Sequence, residues 1–176
     1  MLSQSDKELI LRMHKEISIY SPWTDGNLFK KIIDELSKPF MNLGINKVLG
    51  VEARGFILAG AVAYKLNAGL VLSRKKDKMY QYKYPKNLVF SEKCSIDYSG
   101  KRKTLEIERD GKGIKKSDKV LIIDDWYGKG AQGNAAIRLV KKAGGQVVGV
   151  GIMLDEMTDD VRKSFDFYNL HALIKK

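Results

Sequence analysis

Two adjacent carboxylates, Asp124 and Asp125, are the residues of this chain best placed to do chemistry. They follow four consecutive apolar residues, Val120–Ile123, which predict a buried strand that ends at the pair. Three glycines between positions 128 and 133 then predict a loop, and a helical pattern follows it. Such a loop aims backbone N–H groups and a positive helix end at one point, which suits a phosphate. Because carboxylates accept hydrogen bonds from hydroxyl groups, we expect a ligand that carries both hydroxyl groups and a phosphate, such as a sugar phosphate.

Composition limits the class of protein. With 176 residues, 44% of them hydrophobic and 30% charged, the chain is expected to form one globular domain, residues 1–176. The net charge of +11 attracts anions, but the lysines are spread along the chain, so charge alone does not decide the partner. Because the sequence has no recognisable nucleic-acid-binding motif, we expect no nucleic-acid partner. No apolar run approaches the roughly 20 residues that span a bilayer, so we expect no membrane partner. Because Cys94 is the only cysteine and the N-terminus lacks a signal-peptide pattern, we expect a cytoplasmic protein.

The N-terminal region, residues 1–45, is predicted to hold two amphipathic helices. The first is indicated by apolar residues at helical spacing within 5–18. Thr24 or Asp25 is a candidate cap for the second helix, which should end before Pro39. The inner face of the second helix is expected to carry Leu28, Ile32, Ile33 and Leu36.

Strands and helices alternate from residue 47 onwards, and this alternation predicts a parallel sheet in an α/β fold. Lys47–Val51 is a predicted strand, Glu52–Gly55 a turn, and Phe56–Leu66 an apolar helix that we expect to be buried on most sides. Gly69–Ser73 is the next predicted strand, and a basic run follows it. The basic run consists of Arg74, Lys75 and Lys76.

Residues 77–100 interrupt the alternation with tyrosines, lysines and no long apolar stretch, a pattern typical of a functional flap or a disordered insert. Lys101–Glu108 is a candidate returning arm of a hairpin. After the helix that follows the acidic pair, Val147–Leu154 predicts another buried strand. Thr158 is a candidate cap for a short helix, and Leu170–Ile174 predicts a last edge strand.

Polar and charged residues follow the carboxyl ends of three predicted strands. These ends carry Glu52–Gly55, Arg74–Lys76 and Asp124–Gln132. In an open parallel sheet, ligands bind beyond the carboxyl ends of the strands. Together the three segments offer two clusters of positive charge, a carboxylate pair and a phosphate loop. This set fits a sugar that carries phosphates at both ends.

The stretch from Val120 to Ala136 resembles the phosphoribosyl-diphosphate signature of type I phosphoribosyltransferases. Residues 50–78 are similar to the pyrophosphate-loop unit and following strand of the purine branch, which includes adenine and xanthine phosphoribosyltransferases. Residues 95–100 resemble the flexible catalytic loop of that branch. The resemblance implies the type I fold, a central, mostly parallel sheet flanked by helices, with a small hood at 1–45 and a flexible catalytic flap at 77–100.

The resemblance also implies roles for individual residues. Asp124 and Asp125 would hold the ribose hydroxyls and stabilise positive charge at the anomeric carbon, and Asp97 and Tyr98 would be catalytic residues on the flap. The 5-phosphate and the pyrophosphate would be bound by a larger set of residues. This set comprises Ala53, Arg54, Gly55, Arg74, Lys75, Lys76, Gly128, Lys129, Gly130, Ala131 and Gln132.

The implied activity is transfer of a 5-phosphoribosyl group from phosphoribosyl diphosphate to a free purine base, with adenine ahead of xanthine and other 6-oxopurines. Mg²⁺ would bind through the substrate pyrophosphate, so no residue is assigned as a metal ligand of its own, and the protein would form a homodimer. In this chain Lys129 and Gln132 stand where the family usually has threonines, and Asp97 stands where adenine enzymes usually have glutamate. A catalytically impaired regulator that senses phosphoribosyl diphosphate and a transferase for a non-purine acceptor remain alternatives.

Trp126 and Tyr127 directly follow the acidic pair, and two roles stay open for them. Their rings are suited to stacking on a base or a sugar. Aromatic residues after a strand equally often pack against another domain or subunit. The two histidines, His14 and His171, have no partner at a spacing that indicates a zinc site.

Overall fold

The computed structural model describes residues 1–15, 22–76, 78, 88–96, 102–109 and 113–176. Its strands are β1 Lys47–Val51, β2 Gly69–Lys75, β3 Val89–Lys93, β4 Thr104–Glu108, β5 Lys119–Tyr127, β6 Gln146–Asp155 and β7 Leu170–Lys175. Its α-helices are α1 Gln4–Lys15, α2 Gly26–Ser37, α3 Gly55–Lys65, α4 Ala131–Lys142 and α5 Asp159–Arg162. Short 3-10 helices cover Pro22–Thr24, Lys38–Phe40 and Lys163–Tyr168.

The described strands form one sheet of seven, in the order β3-β4-β2-β1-β5-β6-β7. Neighbouring strands from β2 to β7 in this order run parallel, whereas β4 pairs antiparallel with both β2 and β3. Helices lie on both faces of the sheet. The predicted fold class, α/β with a mostly parallel sheet flanked by helices, is therefore confirmed.

Alternate residues of the central strands face two separate hydrophobic cores. Val48 of β1 and Leu121 of β5 pack with α1, α2 and α3. Leu49 and Ile122 point the other way and pack with α4. Because both faces are covered, residues 48–51 of β1 and 120–123 of β5 carry no polar side chain, as expected for a buried parallel sheet.

The N-terminal helices follow the local signals of the sequence. Asp25 caps α2, and its Oδ1 accepts hydrogen bonds from the backbone N–H groups of Asn27 at 2.8 Å and Leu28 at 3.0 Å. The helix ends at Ser37, before Pro39, and the four residues predicted for its inner face are all buried. The first helix runs over Gln4–Lys15, and the last three residues of its predicted range lie outside the described part of the chain.

Strand β5 is longer than the sequence predicted. It continues through the acidic pair to Tyr127, because Asp124, Trp126 and Tyr127 pair with Ile152, Leu154 and Asp155 of the equally long β6. The loop that follows is correspondingly short, and Gly133 lies within α4 instead of in the loop.

Helix α3 is buried on one side only, so the prediction of burial on most sides was wrong. Leu58, Ala59 and Val62 face the core, whereas Ile57 is 41% exposed and Tyr64 is 90% exposed. The helix covers the edge of a core shared with α1 and α2, and its outer face has no described neighbour to cover it.

Part of the segment assigned to the flap, 77–100, is a regular strand. Val89–Lys93 form β3, which pairs antiparallel with β4, so the predicted hairpin arm is confirmed. The side chain of Glu92 anchors this edge strand to α4 through ion pairs with Arg138 at 3.2 Å and Lys142 at 3.1 Å. Apart from Lys78 and residues 88–96, the predicted flap lies outside the described residues.

The described helices include none that combines the length and the apolar character required to cross a membrane.

Candidate active site

The acidic pair lies in the second half of β5, at the end of the sheet where the parallel strands have their carboxyl ends. Asp124 is 4% exposed and Asp125 is 8% exposed. The backbone N–H of Asp125 donates a hydrogen bond of 2.9 Å to Oδ1 of Asp124. A Cβ atom at Gly55 would lie 2.7 Å from that same oxygen. Glycine at position 55 therefore allows the start of α3 to approach the Asp124 carboxylate closely.

The two carboxylates have different electrostatic surroundings. Asp125 Oδ2 lies 2.7 Å from Nη2 of Arg54, which follows β1, so its charge is paired. Burial raises the pKa of Asp124 well above its usual range, and the negative charge of Asp125 raises it further. Arg54 and the backbone N–H of Asp125 act in the opposite direction but do not compensate. Asp125 thus has a cation as its partner. Asp124 resists ionisation as long as no cation or positively charged group is bound beside it.

Glu52 connects the turn after β1 to the end of β2, a role that the sequence did not reveal. Its backbone N–H donates to Ser73 O at 3.0 Å, and its Oε2 accepts from the backbone N–H of Lys75 at 2.7 Å. The guanidinium Nε of Arg74 is 3.9 Å from Glu52 Oε2, and Nζ of Lys78 is 4.0 Å from Oε1. The sequence did hold one signal for this contact, because Glu52 follows the first predicted strand and the basic run 74–76 follows the next one. These two strands are neighbours in the sheet.

The predicted pyrophosphate-binding residues lie on three parts of this edge. Ala53 and Arg54 are in the turn between β1 and α3, and the Glu52–Ala53 peptide bond is cis. Arg74 and Lys75 are the last residues of β2 instead of a loop after it, because β2 pairs there with β4. Lys76 is exposed, and its backbone N–H donates to Thr104 O at 2.9 Å. The side chain of Arg54 contacts the acidic pair, whereas that of Arg74 is oriented toward Glu52.

The predicted phosphate loop is a short turn at the N-terminus of α4. Gly128, Lys129 and Gly130 form the turn, and Ala131 and Gln132 begin the helix. Gly130 has a positive φ of 61°, and a Cβ atom there would lie 2.9 Å from Phe165 and from Val161. Only glycine fits this conformation and this space.

A small open concavity lies over the phosphate loop and is lined by residues 126 to 132. Two of the lining residues carry a buried polar atom that has no hydrogen-bond partner within the described structure, the Tyr127 hydroxyl and Oε1 of Gln132. The Tyr127 ring packs so tightly on α4 that a Cβ at Gly133 would lie 2.5 Å from it. N–H groups at the start of a helix, facing an open concavity, form a site for an anion.

The described ranges contain no group of three His, Cys, Asp or Glu side chains that could hold a metal ion by themselves. The site therefore consists of an acidic pair, an arginine ion-paired with it and an anion-binding turn. This combination suits a phosphorylated sugar with a charged leaving group.

Comparison with known proteins identifies the family. Residues 24–176 match the Phosphoribosyl transferase domain family. The chain belongs to the phosphoribosyltransferase family. It is 37% identical over 131 residues to the adenine phosphoribosyltransferase of Neorhizobium galegae, covering 74% of this chain and 67% of that protein. It is 40% identical over 124 residues to that of Geobacter metallireducens, covering 70% of this chain and 67% of the relative.

Solved structures of phosphoribosyltransferases have the same fold. Adenine phosphoribosyltransferase from Rhodothermus marinus superposes with a TM-score of 0.77 at 33% identity, covering 90% of this chain and 85% of that one. The enzyme from Thermoanaerobacter pseudethanolicus superposes with a TM-score of 0.75 at 27% identity, covering 88% and 84% of the two chains. The resemblance to a type I phosphoribosyltransferase of the purine branch is thereby confirmed.

The predicted catalytic residues of the flap, Asp97 and Tyr98, lie outside the described residues, so their roles in this phosphoribosyltransferase stay predictions. The structure shows a contact next to the acidic pair that the sequence analysis did not predict. His14 of α1 lies against Trp126, with ring centroids 5.5 Å apart, and Trp126 is hydrogen-bonded to Glu156. The spacing of these residues in the chain held no signal for the contact, because α1 precedes β5 by more than 100 residues.

Proposed function

We propose that this chain transfers the 5-phosphoribosyl group from phosphoribosyl diphosphate to a free purine base, adenine favoured, and releases pyrophosphate, a reaction of nucleotide salvage. The observation that carries the proposal is the buried acidic pair held between Arg54 and the phosphate loop. It stands in a chain whose relatives are named adenine phosphoribosyltransferases. The activity is that of a pentosyltransferase.

The phosphate loop would bind the 5-phosphate. Gly128–Gln132 line the concavity, and the N-terminus of α4, which starts at Ala131, adds positive potential there. Lys129 would contribute a positive charge to the same position. The loop thus fixes one end of the substrate.

The acidic pair would hold the ribose and stabilise the charge that develops on it. As pyrophosphate leaves the anomeric carbon, positive charge builds up on the sugar ring, and a ring nitrogen of the base attacks from the other face. Asp124 and Asp125, held at low exposure by β5, would provide preorganised negative potential for that charge. The raised pKa of Asp124 reflects a site that is unfavourable for a bare anion and favourable once a positive group is present.

The leaving pyrophosphate would be bound by Ala53, Arg54, Gly55, Arg74, Lys75 and Lys76. Glu52 orients this region, because it fixes the Lys75 backbone and attracts Arg74. We further propose that Mg²⁺ would be held through the substrate pyrophosphate, and the carboxylate oxygens of Asp124 and Asp125 are hard ligands that fit this ion. When bound, the ion supplies positive charge that stabilises the leaving group. Asp97 and Tyr98 are proposed to close over the site and exclude water.

A homodimer and a cytoplasmic location belong to the same proposal. Large apolar side chains on α3 and the adjacent β2 are exposed, among them Ile57 at 41%, Leu70 at 45% and Leu72 at 39%. Large exposed apolar side chains on neighbouring elements are typical of a subunit interface. Light scattering is expected to give twice the 19.9 kDa mass of the chain. A mass of one chain would contradict the dimer.

The activity is tested by measuring pyrophosphate release from phosphoribosyl diphosphate and Mg²⁺ with adenine, hypoxanthine, guanine or xanthine. We expect release with adenine. Release with a 6-oxopurine alone would keep the reaction and change the acceptor. If no base gives pyrophosphate release but calorimetry shows that phosphoribosyl diphosphate binds, the transferase activity would be contradicted and the chain would be a binding protein. If there is neither pyrophosphate release nor binding of phosphoribosyl diphosphate, the loop that contains Lys129 does not bind a phosphate.

A further inference from the structure

The carboxylate of Glu52 lies beside two cations at the carboxyl end of β2. Its side chain is only 9% exposed, and its Oε2 accepts a hydrogen bond of 2.7 Å from the backbone N–H of Lys75. Nε of Arg74 lies 3.9 Å from Oε2, and Nζ of Lys78 lies 4.0 Å from Oε1. One negative charge, largely shielded from water, is thus shared by two cations of this edge.

Both ion pairs of Glu52 are loose. Their distances exceed those of a direct hydrogen bond between such charged groups, which are about 2.7–2.9 Å. Nε of Arg74 is buried and has no hydrogen-bond partner among the described residues. A buried donor without an acceptor is unfavourable, so the Arg74 side chain would gain from an anion that comes closer than Glu52 does.

Arg54 in the turn after β1 is paired in the same way, since its Nη2 lies 2.7 Å from Oδ2 of Asp125. The cations Arg54, Arg74 and Lys78 therefore each face a carboxylate of the chain itself. A pyrophosphate that binds here must compete with these carboxylates, and a carboxylate that stays nearby repels it. The described side-chain contacts of Glu52 are confined to the end of β2 and the turn after it, so its charge can be changed without touching the acidic pair.

We propose that Glu52 is a positioning residue whose charge lowers the affinity of the site for pyrophosphate, because it pairs with Arg74 and Lys78 and must yield these cations when pyrophosphate binds. This inference rests on the proposed function and deepens it. The hydrogen bond to the Lys75 backbone holds the end of β2 before and after binding, whereas the charge opposes the bound anion. The charge of Glu52 therefore favours release of the pyrophosphate product.

Calorimetry with inorganic pyrophosphate and Mg²⁺ tests this role without any need for turnover. Glu52→Gln removes the charge and keeps an oxygen acceptor for the Lys75 N–H. We expect this variant to bind pyrophosphate about 5-fold to 10-fold more tightly than wild type, because a repelling charge and a competitor for two cations are lost. The affinity for ribose 5-phosphate, which belongs in the phosphate loop, should stay within about twofold. Unchanged or weaker binding of pyrophosphate would overturn the proposal.

Kinetics separates the charge of Glu52 from its hydrogen bond to the backbone. In Glu52→Gln, the inhibition constant of pyrophosphate against phosphoribosyl diphosphate should fall by the same factor as the dissociation constant. Glu52→Ala removes the hydrogen bond as well as the charge, so the end of β2 loosens and the KM for phosphoribosyl diphosphate should rise about 5-fold or more. If Glu52→Gln raises this KM as much as Glu52→Ala does, Glu52 serves only as a structural anchor and the proposal is overturned.

Glu92→Gln is the matched control. Glu92 is also a carboxylate that is paired with two cations, Arg138 at 3.2 Å and Lys142 at 3.1 Å, but these cations lie on α4. The substitution changes the net charge by the same amount and should leave the affinity for pyrophosphate unchanged. An equal gain of affinity in Glu52→Gln and Glu92→Gln would show a general effect of net charge and would overturn the proposal.

The role of Glu52 and the proposed function fail in different ways. Pyrophosphate release in the transferase assay, combined with unchanged pyrophosphate binding by Glu52→Gln, would overturn the role of Glu52 alone. Tighter binding of pyrophosphate by Glu52→Gln without pyrophosphate release for any base would support the role of Glu52 and contradict the transferase. A wild-type chain that does not bind pyrophosphate at all would overturn the role of Glu52, whatever the outcome of the transferase assay.

Discussion

At the scale of single residues, two neighbouring aspartates differ because their surroundings differ. Asp125 has an arginine at 2.7 Å, whereas Asp124 is buried and bonded to a backbone N–H. The carboxylate of Asp125 therefore has a cation as its direct partner. Asp124 is buried beside a like charge, and both effects disfavour its ionised form, so its pKa is raised. The two substitutions below are expected to separate catalysis from stability.

Asp125→Asn should lower kcat by about 100-fold to 1,000-fold, because it removes preorganised negative charge from the reacting centre. The fold should be retained, since Asn has nearly the same size and shape. Pyrophosphate release at saturating substrates and thermal unfolding measure the two effects. Unchanged kcat would remove the acidic pair from the mechanism.

Asp124→Asn should make the protein without ligand more stable near neutral pH. A carboxyl with a raised pKa binds its proton more tightly in the folded than in the unfolded chain, so wild-type stability falls as pH rises above the ordinary value of 3.8. Asn avoids this loss, and we expect a gain of about 1 kcal/mol, or roughly 2–4 °C in Tm, that shrinks toward acidic pH. Turnover should fall nonetheless.

Asp118→Asn is the matched control for that substitution. Asp118 is also buried, but its carboxylate accepts hydrogen bonds from the Asn46 side chain at 3.0 Å and the Lys115 backbone at 2.8 Å. Replacing it removes an acceptor without relieving repulsion, so this variant should be less stable than wild type. A gain in both variants would show that the effect does not come from the acidic pair.

At the scale of elements, the phosphate loop depends on the segment after β6. Asp155, fully buried at the end of β6, accepts hydrogen bonds from Nε of Arg162 at 2.8 Å and from the backbone N–H of Met157 at 2.9 Å. Arg162 also donates to the Met157 carbonyl at 2.8 Å. This network fixes α5 and the following turn, from which Val161 and Phe165 pack against Gly130. The turn proposed to bind the phosphate is thus supported by residues about 30 positions later.

Arg162→Met should destabilise the protein by about 3 kcal/mol, because it leaves the Asp155 carboxylate buried without a cation. The figure is at the lower end for a buried pair, since the Arg162 side chain is 22% exposed. The KM for phosphoribosyl diphosphate should rise as well, because the support of Gly130 loosens. Chemical denaturation and initial rates measure the two effects.

Arg138→Met is the control for Arg162→Met. Arg138 pairs with Glu92 at 3.2 Å, but its side chain is 47% exposed, so its loss should cost less than about 1 kcal/mol. Equal effects of the two substitutions would contradict the role of the Asp155 network.

At the scale of the whole molecule, one sheet separates two cores, and each histidine lies partly buried on the side of α1 and α2. Burial lowers the pKa of His14 and of His171, and for His171 the charge of Lys175 lowers it further while Glu35 raises it. The His171 ring meets Phe40 edge-on, with centroids 6.1 Å apart, and its Nε2 has no described hydrogen-bond partner. Both rings therefore favour the neutral form in the folded chain.

Acidification should destabilise the fold through these histidines. A lowered pKa means that the unfolded chain binds more protons than the folded chain as pH drops below 6.5, so stability falls with falling pH in that window. Between about pH 7 and pH 5, wild type should lose roughly 2–4 °C more in Tm than the double variant His14→Gln/His171→Gln. Parallel curves for the two proteins would show that other groups control the pH response.

The sequence by itself determined the features that depend on local signals. Strand β1 has the predicted boundaries, α2 begins at a predicted cap and ends before Pro39, and the alternation of strands and helices predicted a parallel α/β sheet. The order of the acidic pair, the glycines and the following helix was sufficient to indicate a sugar-phosphate site. These signals lie within a few residues of one another, since periodicity, capping and turn chemistry act over one or two turns of the backbone.

Only the tertiary structure decided which groups meet. The extension of β5 past the acidic pair depends on the length of β6, and the contact between Glu52 and the end of β2 depends on strand order. The selection of Asp125 as the partner of Arg54, the raised pKa of Asp124 and the bond between Trp126 and Glu156 all need burial and proximity between distant segments. Electrostatic and packing interactions act through space, and the fold alone sets those distances.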